Sequence, residues 1–291
     1  MTLLEKLSQD IRSSGANIFE LVLVQNGEWQ TETFVPTCPC QCCYSVTKNF
    51  IATGIGILCD RGQISLDDPV TKFFENELPV HYDEKLTEMT VRHLLTQTSG
   101  HEDGFLFEKD RGTHGHDWLA YTLAYPVTYQ PGTRFMYSNA TYHLLSCIIH
   151  RVTGLTAEWF IRKELFEPMG IVHYAWESCP MGETQGGTGL YLSTKDMAKI
   201  GVLYLNNGVY DGKRLLSEEW VKEATKDQVA GLGVPPYGYS FWPYPEVEGY
   251  AGNGAYQQKV LVVPKHNLVL AAHAFVPDYD YNALLLRALN D

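Results

Sequence analysis

Strand-forming runs stand at the two ends of this chain with helical signals between them, and that arrangement restricts the folds open to it. Near the N-terminus, FELVLVQNGEWQTETF holds two β-rich runs separated by Gln25-Asn26-Gly27-Glu28. Asn-Gly predicts a tight hairpin, because both residues tolerate positive φ. Near the C-terminus, YGYSFWP, QQKVLVV and LVLAAHAF are strand-like, with Pro264-Lys265-His266-Asn267 as the turn between the last two and a closing helix near Tyr281 to Leu289. MTLLEKLSQDIRSSG predicts a first helix. Three-to-four spacing with Gly stops predicts further helices in SVTKNFIATGIGILCDRG, TVRHLLTQTSG, DWLAYTLAY, ATYHLLSCIIHRVTG, TAEWFIRKELFEPMG, STKDMAKIGVLYLNNG and SEEWVKEATKD. The expected fold is α+β: a central antiparallel sheet built from both chain ends and flanked by helices, plus a mostly helical lobe. One domain spans 1–291, with a sheet lobe of about 1–62 and 188–291 and a helical lobe of about 63–187. The groove between lobes is the natural site.

Charge and hydropathy narrow the partners. Lys and Arg number 22 against 34 Asp and Glu, a formal charge of −12, and no basic run is present, so nucleic acid is not an expected partner. The most apolar windows, such as Lys259 to Phe275, are broken by Pro264, Lys265, His266 and Asn267, well short of the roughly 18 apolar residues a membrane span needs. The N-terminus lacks the basic start, apolar block and small-residue cleavage site of a secretory signal. Its seven cysteines, an odd number, then read as reduced thiols in the cytoplasm. The oligomeric state has no sequence signal.

Ser45 alone among the serines has a lysine three residues on. Tyr44-Ser45-Val46-Thr47-Lys48 opens an apolar helix, where side chains at i and i+3 share a face. The Lys48 amine can take the hydroxyl proton if burial or nearby positive charge lowers its pKa. The competing reading is a Ser N-cap beside a solvated lysine. A Y-x-N triplet occurs twice. Tyr204-Leu205-Asn206 ends a helix and suits a C-terminal cap. Tyr137-Ser138-Asn139 follows the turn Gln130-Pro131-Gly132-Thr133 and precedes a helix, so its side chains can enter a groove. There a phenol can relay a proton, while an Asn amide holds a substrate carbonyl or orients the lysine.

These motifs, with DRGQISLDDPV, MTVRHLLTQTSG, YQPGTRFMYSN, LFEPMGI and GGTGLYLSTKDMAKIG in this order, resemble the serine β-lactamase and penicillin-binding-protein superfamily, specifically its class C-like branch of esterases and hydrolases. The resemblance covers most of the chain. It implies Ser45 as acylated nucleophile, Lys48 as activating partner, Tyr137 as proton relay and Asn139 as a substrate or lysine contact. The counterpart of the family's third triplet is Gly252-Asn253-Gly254, which lacks the usual basic first residue. Aligned this way, the backbone N–H groups of Ser45 and Ala255 would form the oxyanion hole. A bulge or tight strand turn would equally account for these glycines.

The implied activity is a cofactor-free serine hydrolase acting through an acyl-enzyme on a small ester or amide. A carboxylesterase is favoured over a β-lactamase or D-amino-acid peptidase, because the missing basic residue would engage a substrate carboxylate. A non-catalytic ligand-binding protein is the alternative from another class. Glu164 and Glu167 read as solvated or helix-terminal. Cys38, Cys40, Cys42 and Cys43 are too tightly spaced for ordinary structural zinc and read as packed thiols, leaving no metal site expected. His114 and His116 are expected to be exposed, His93 structural, and His143 and His150 to share a helix face. Tyr237, Tyr239, Phe241, Trp242, Tyr250 and Tyr256 could line a pocket or fill the core.

Overall fold

A computed structural model describes residues 1–107 and 112–290. Helix α1 (Leu3–Ser14) opens the chain, followed by strands β1 (Ile18–Gln25) and β2 (Glu28–Thr33). Between the strands, Asn26 and Gly27 take φ of 54° and 84°, the twin left-handed residues that a two-residue hairpin matching strand twist requires. A short strand β3 (Gln41–Cys42) then leads into a 3₁₀ turn, Tyr44–Val46, and helix α2 (Thr47–Asp60).

Helices fill the middle: α3 (Val91–Leu95), α4 (Trp118–Ala124), α5 (Asn139–Thr153) and α6 (Ala157–Ile161), the last running into a π turn at Arg162–Phe166. Strands β4 (Ala175–Trp176) and β5 (Leu190–Leu192) join β3 in a small sheet of order β3-β5-β4. Helix α7 (Thr194–Leu205), the hairpin of β6 (Val209–Tyr210) and β7 (Lys213–Arg214), and helix α8 (Glu218–Thr225) follow. Strands β8 (Trp242–Tyr244), β9 (Gly249–Gly254), β10 (Gln258–Val263) and β11 (Leu268–Ala274) and helix α9 (Tyr281–Asn290) complete the described chain.

The main sheet is antiparallel in the order β2-β1-β11-β10-β9-β8, so both chain ends supply it. Every residue of β10 and β11 is buried, because helices cover both faces; a strand in that position reads as a continuous apolar run. On one face Val22, Val24, Val260, Val262 and Val269 pack with Phe50 of α2 and Met197 and Ile200 of α7. On the other, Leu21, Leu23, Leu261 and Leu270 pack with Leu7 and Ile11 of α1 and Leu284 and Leu285 of α9. Among the described residues no helix is long and apolar enough to cross a membrane.

Two expectations change. The strand expected over YGYSFWP is confined to Trp242–Tyr244, since Ser240 takes a left-handed φ of 69° and interrupts the extended run. Pro243 is accommodated because β8 lies at the sheet edge, where a missing N–H breaks no ladder. The segment carrying Ser45 also starts differently. Ser45 lies in the 3₁₀ turn, one residue before the N-cap position of α2, which Val46 occupies without a side-chain cap. Every α2 residue from Thr47 to Leu58 is buried, an all-round apolar setting characteristic of a core helix. Lys48 is carried into that core.

Candidate active site

Ser45 is presented by strained backbone. Tyr44, immediately before it, has φ of 46°, a left-handed conformation that costs a non-glycine residue about 1–3 kcal/mol. The ring of Tyr44 meets that of Tyr256 edge-on at 5.3 Å. One helical turn on, Lys48 is 1% exposed, which excludes the solvated-lysine reading. Its Nζ donates to Ser45 Oγ at 3.2 Å, to Asn139 Oδ1 at 2.6 Å and to the Gly187 carbonyl at 2.7 Å. It also lies 4.8 Å from the centroid of the Tyr137 ring. The four residues Ser45, Lys48, Tyr137 and Asn139 are therefore gathered at one place.

The turn that brings Tyr137 and Asn139 there is held from behind. Ser138 caps α5 by accepting from Ala140 N–H, while buried Gln97 accepts from Ser138 N–H at 3.0 Å and donates to Ser138 C=O at 3.1 Å. The same Gln97 Oε1 accepts from Thr141 Oγ1 at 2.9 Å. Asn139 Nδ2 donates to Leu106 C=O at 3.0 Å, so the amide is oriented with its oxygen toward Lys48. The other Y-x-N triplet behaves as a helix end: Asn206 caps α7, and Tyr204 is buried with its hydroxyl 3.0 Å from Thr53 Oγ1.

Gly252 and Gly254 lie in regular pairing with β10, opposite Val260 and Gln258. Neither a bulge nor a turn explains them. A Cβ on Gly252 would collide with Asn49 Oδ1, and one on Gly254 would fall 2.5 Å from the Cys43 carbonyl, so both let β9 lie against the segment carrying Ser45 and Lys48. Asn253 donates from Nδ2 to Tyr244 Oη at 2.7 Å. Asn253, Gly254 and Ala255 line a cavity of about 670 Å³ together with Ser45, Tyr137 and Asn139. Tyr44, Phe107, Trp242, Tyr244 and four prolines complete most of its wall, with Glu246 at one edge. Its lining thus comes from both 63–187 and the flanking sequence.

Most of the remaining candidates fall outside this cavity. Glu164 pairs with Arg61, and Glu167 lies 3.3 Å from Arg162. Tyr237, Tyr239 and Phe241 are core residues, Tyr256 is exposed, and only Trp242 of the aromatic set reaches the cavity. His114 is not simply exposed: its ring packs 4.5 Å from Tyr121 and 5.8 Å from Phe105, because the loop folds onto an aromatic cluster. His116 is exposed, and residues 108–111 of the same stretch lie outside the described residues. His93 accepts from Thr90 N–H in a capping box. His150 pairs with Glu183 at 2.9 Å, whereas His143 is buried beside Cys147. Burial pushes the thiols of Cys40 and Cys43 up, against thiolate formation. Among the described residues, no group of three or more His, Cys, Asp or Glu side chains could hold a metal ion.

Three functional features escaped the sequence reading: the left-handed Tyr44, the clamp formed by Gln97, and the Gly187 carbonyl. Only the last had a visible signal, in the Gly186-Gly187 pair of ETQGGTG.

The chain is 25% identical over 253 residues to an uncharacterised protein of Alkalihalophilus pseudofirmus, covering 79% of this chain and 72% of that one. Other curated relatives are matched over shares of their own length such as 40% and 27%, so the chain spans less than half of those proteins. A penicillin-binding protein from Bacillus halodurans superposes with a TM-score of 0.75 at 18% identity, over 98% of both chains. A family VIII carboxylesterase superposes with a TM-score of 0.77 at 17% identity, over 98% of this chain and 95% of that one. The family model described as Beta-lactamase matches residues 42–279, most of the length and all of the residues gathered around Ser45, and the chain belongs to that beta-lactamase family.

Proposed function

We propose that the protein is a serine hydrolase that is acylated on Ser45 by a small ester or amide and then hydrolysed. The observation that carries this reading is the set of acceptors around Lys48. Asn139 Oδ1 and the Gly187 carbonyl each hold a hydrogen of the amine. When Lys48 is neutral, its two hydrogens stay on those oxygens and its lone pair faces the Ser45 hydroxyl. Lys48 accepts the Ser45 proton as Oγ attacks the substrate carbonyl carbon. Tyr137 passes a proton to the leaving oxygen or nitrogen as its bond to that carbon breaks. Water then attacks the acyl carbon, giving its proton to the same pair, and Ser45 leaves with its hydroxyl restored. The N–H groups of Ser45 and Ala255 are assigned to the oxyanion that forms in each step.

Within this class we favour a carboxylesterase. Gly252-Asn253-Gly254 places no cation where a substrate carboxylate would be engaged, and aromatic rings and prolines form most of the cavity wall, a surface suited to an uncharged acyl or alkyl group. The direct hydrogen bond between Lys48 and Ser45 at 3.2 Å speaks against a non-catalytic binder. We assign the protein to the cytoplasm, a reading supported by its seven cysteines, none of them in a disulfide among the described residues.

The test is intact-protein mass spectrometry after exposure to a fluorophosphonate and, separately, to a penicillin, with Ser45→Ala as control. The expected result is a Ser45-dependent fluorophosphonate adduct and no penicilloyl adduct. A penicilloyl adduct or rapid loss of the penicillin moves the substrate class to β-lactams. Absence of any adduct overturns the hydrolase reading.

A further inference from the structure

The turn after β9 carries the proposed Ala255 donor and is conformationally costly. Tyr256 and Gln257, neither of them glycine, take φ of 57° and 68° in succession. Left-handed backbone at two adjacent side-chain-bearing residues persists only where surrounding contacts over-determine it. The contacts come largely from Gln258, the first residue of β10, which is 3% exposed. Its Nε2 donates to the Ala255 carbonyl at 3.0 Å and to the Ala274 carbonyl at 2.7 Å, with Tyr256 C=O at 3.4 Å. Its Oε1 accepts from Ala274 N–H at 3.3 Å and lies 2.7 Å from His273 Nδ1.

This arrangement fixes the histidine tautomer. The amide nitrogen of Gln258 faces carbonyl oxygens, so its oxygen is the atom facing His273, and Nδ1 must carry the hydrogen. His273 is 1% exposed and its burial favours the neutral ring. A directed chain therefore runs from His273 Nδ1–H through the Gln258 amide to the Ala255 carbonyl. On its other side, Ala255 is preceded by Gly254, which pairs with the Gln258 backbone in the β-ladder. Gln258 thus bonds the peptide plane after Ala255 directly and stands opposite the residue before it in the ladder.

We propose that Gln258, oriented by His273, is a positioning residue that aims the Ala255 N–H at the substrate oxygen. This rests on the acyl-enzyme reading of Ser45. Neither side chain lines the cavity, so their influence passes through the backbone of Ala255. An oxyanion donor acts on the transition state more than on bound substrate, and losing its aim lowers kcat and leaves KM nearly unchanged.

The experiment measures p-nitrophenyl butyrate hydrolysis and inhibition by phenylboronic acid, whose Ser45 adduct carries an oxygen in the oxyanion position. Gln258→Met should lower kcat about 10- to 100-fold with KM within about twofold, and should weaken phenylboronic acid by a comparable factor. His273→Leu should show the same pattern in part. His273→Asn, whose amide can donate in place of Nδ1–H, should recover most of the loss. If Gln258→Met fails to fold by circular dichroism, the two His273 variants decide the question. Folded variants that retain kcat and boronate affinity, or lose both equally in the Leu and Asn forms, overturn the proposal. Wild-type protein without Ser45-dependent turnover or boronate binding instead overturns the reading on which it rests.

Discussion

Lys48 Nζ and Asn139 Oδ1 lie 2.6 Å apart across 91 residues of sequence, joining the first turn of α2 to the first residue of α5. The amide is held from its other end by the Leu106 carbonyl, so Lys48 meets a fixed neutral acceptor. Asn139→Asp replaces it with a carboxylate, which favours the charged ammonium. The base form is then reached only at higher pH. The expected outcome is a fall in kcat at neutral pH of about 10²-fold and a rising limb of the pH–rate profile displaced upward. Asn139→Ala should lose activity without that displacement. An undisplaced limb in Asn139→Asp would show that the amide does not set the state of Lys48.

Gly187 offers its carbonyl to Lys48, and a Cβ added to it would sit 2.6 Å from Asn139 Cβ. Gly187→Ala should therefore disturb two of the partners of Lys48 together. We expect a destabilisation of about 1–3 kcal/mol from overpacking, read by urea unfolding. A reduction of kcat larger than that for an alanine placed at an exposed glycine should accompany it. Unchanged kcat with unchanged stability would contradict the close approach.

Gln97 bonds both backbone groups of Ser138 and the Thr141 hydroxyl. Gln97→Ala leaves the buried Ser138 N–H without its partner, at about 1–3 kcal/mol, while the Thr141 hydroxyl and the Ser138 carbonyl still bond each other at 3.1 Å. It also frees the turn that carries Tyr137. Gln97→Glu keeps the accepting oxygen but sets its second oxygen against Ser138 C=O, so the buried group is held as the neutral acid, and its effect should be intermediate in both thermal stability and kcat at low pH and grow as the pH rises. Equal effects of the two substitutions would place the role of Gln97 in packing rather than in its hydrogen bonds.

The pH dependence of stability follows from three buried imidazoles. Burial pushes His101, His143 and His273 down to about 4 from the usual 6.5. Between those values the unfolded chain binds more protons than the folded one. Stability is thus complete above about 6.5 and is lost as the pH falls toward 4. At pH 5 each group should remove about 2 kcal/mol. Thermal unfolding followed from pH 7 to pH 5 should show a steep fall in Tm, and His143→Gln should flatten it by roughly a third if the three contribute equally. A level profile in the wild-type protein would rule out neutral burial of these rings.

How much of this was legible in the sequence depended on whether a feature is local. The Asn26-Gly27 hairpin and the Ser45–Lys48 spacing each rest on neighbouring residues and could be read directly, whereas Gly252-Asn253-Gly254 was singled out only through the family resemblance. The clamp of Gln97 on Ser138 could not be read, because it joins a side-chain amide to backbone atoms 41 residues away. Gly252 was visible as a glycine, but its reason lies in Asn49 on another element. YGYSFWP misled because aromatic content signals burial as readily as extension. Tyr237, Tyr239 and Phe241 are fully buried in a loop.

Strand β11 lies between β1 and β10 in the main sheet, although some 240 residues separate it from β1. During synthesis from the N-terminus, β1 and β2 emerge first, and β1 lacks its β11 partner until nearly the whole described chain has been made. The unpaired edge of β1 includes Leu21, Val22, Leu23 and Val24, all buried in the finished protein. A nascent chain of this design therefore carries a sticky apolar ribbon through most of its translation, and its hazard is aggregation before release rather than unfolding afterward.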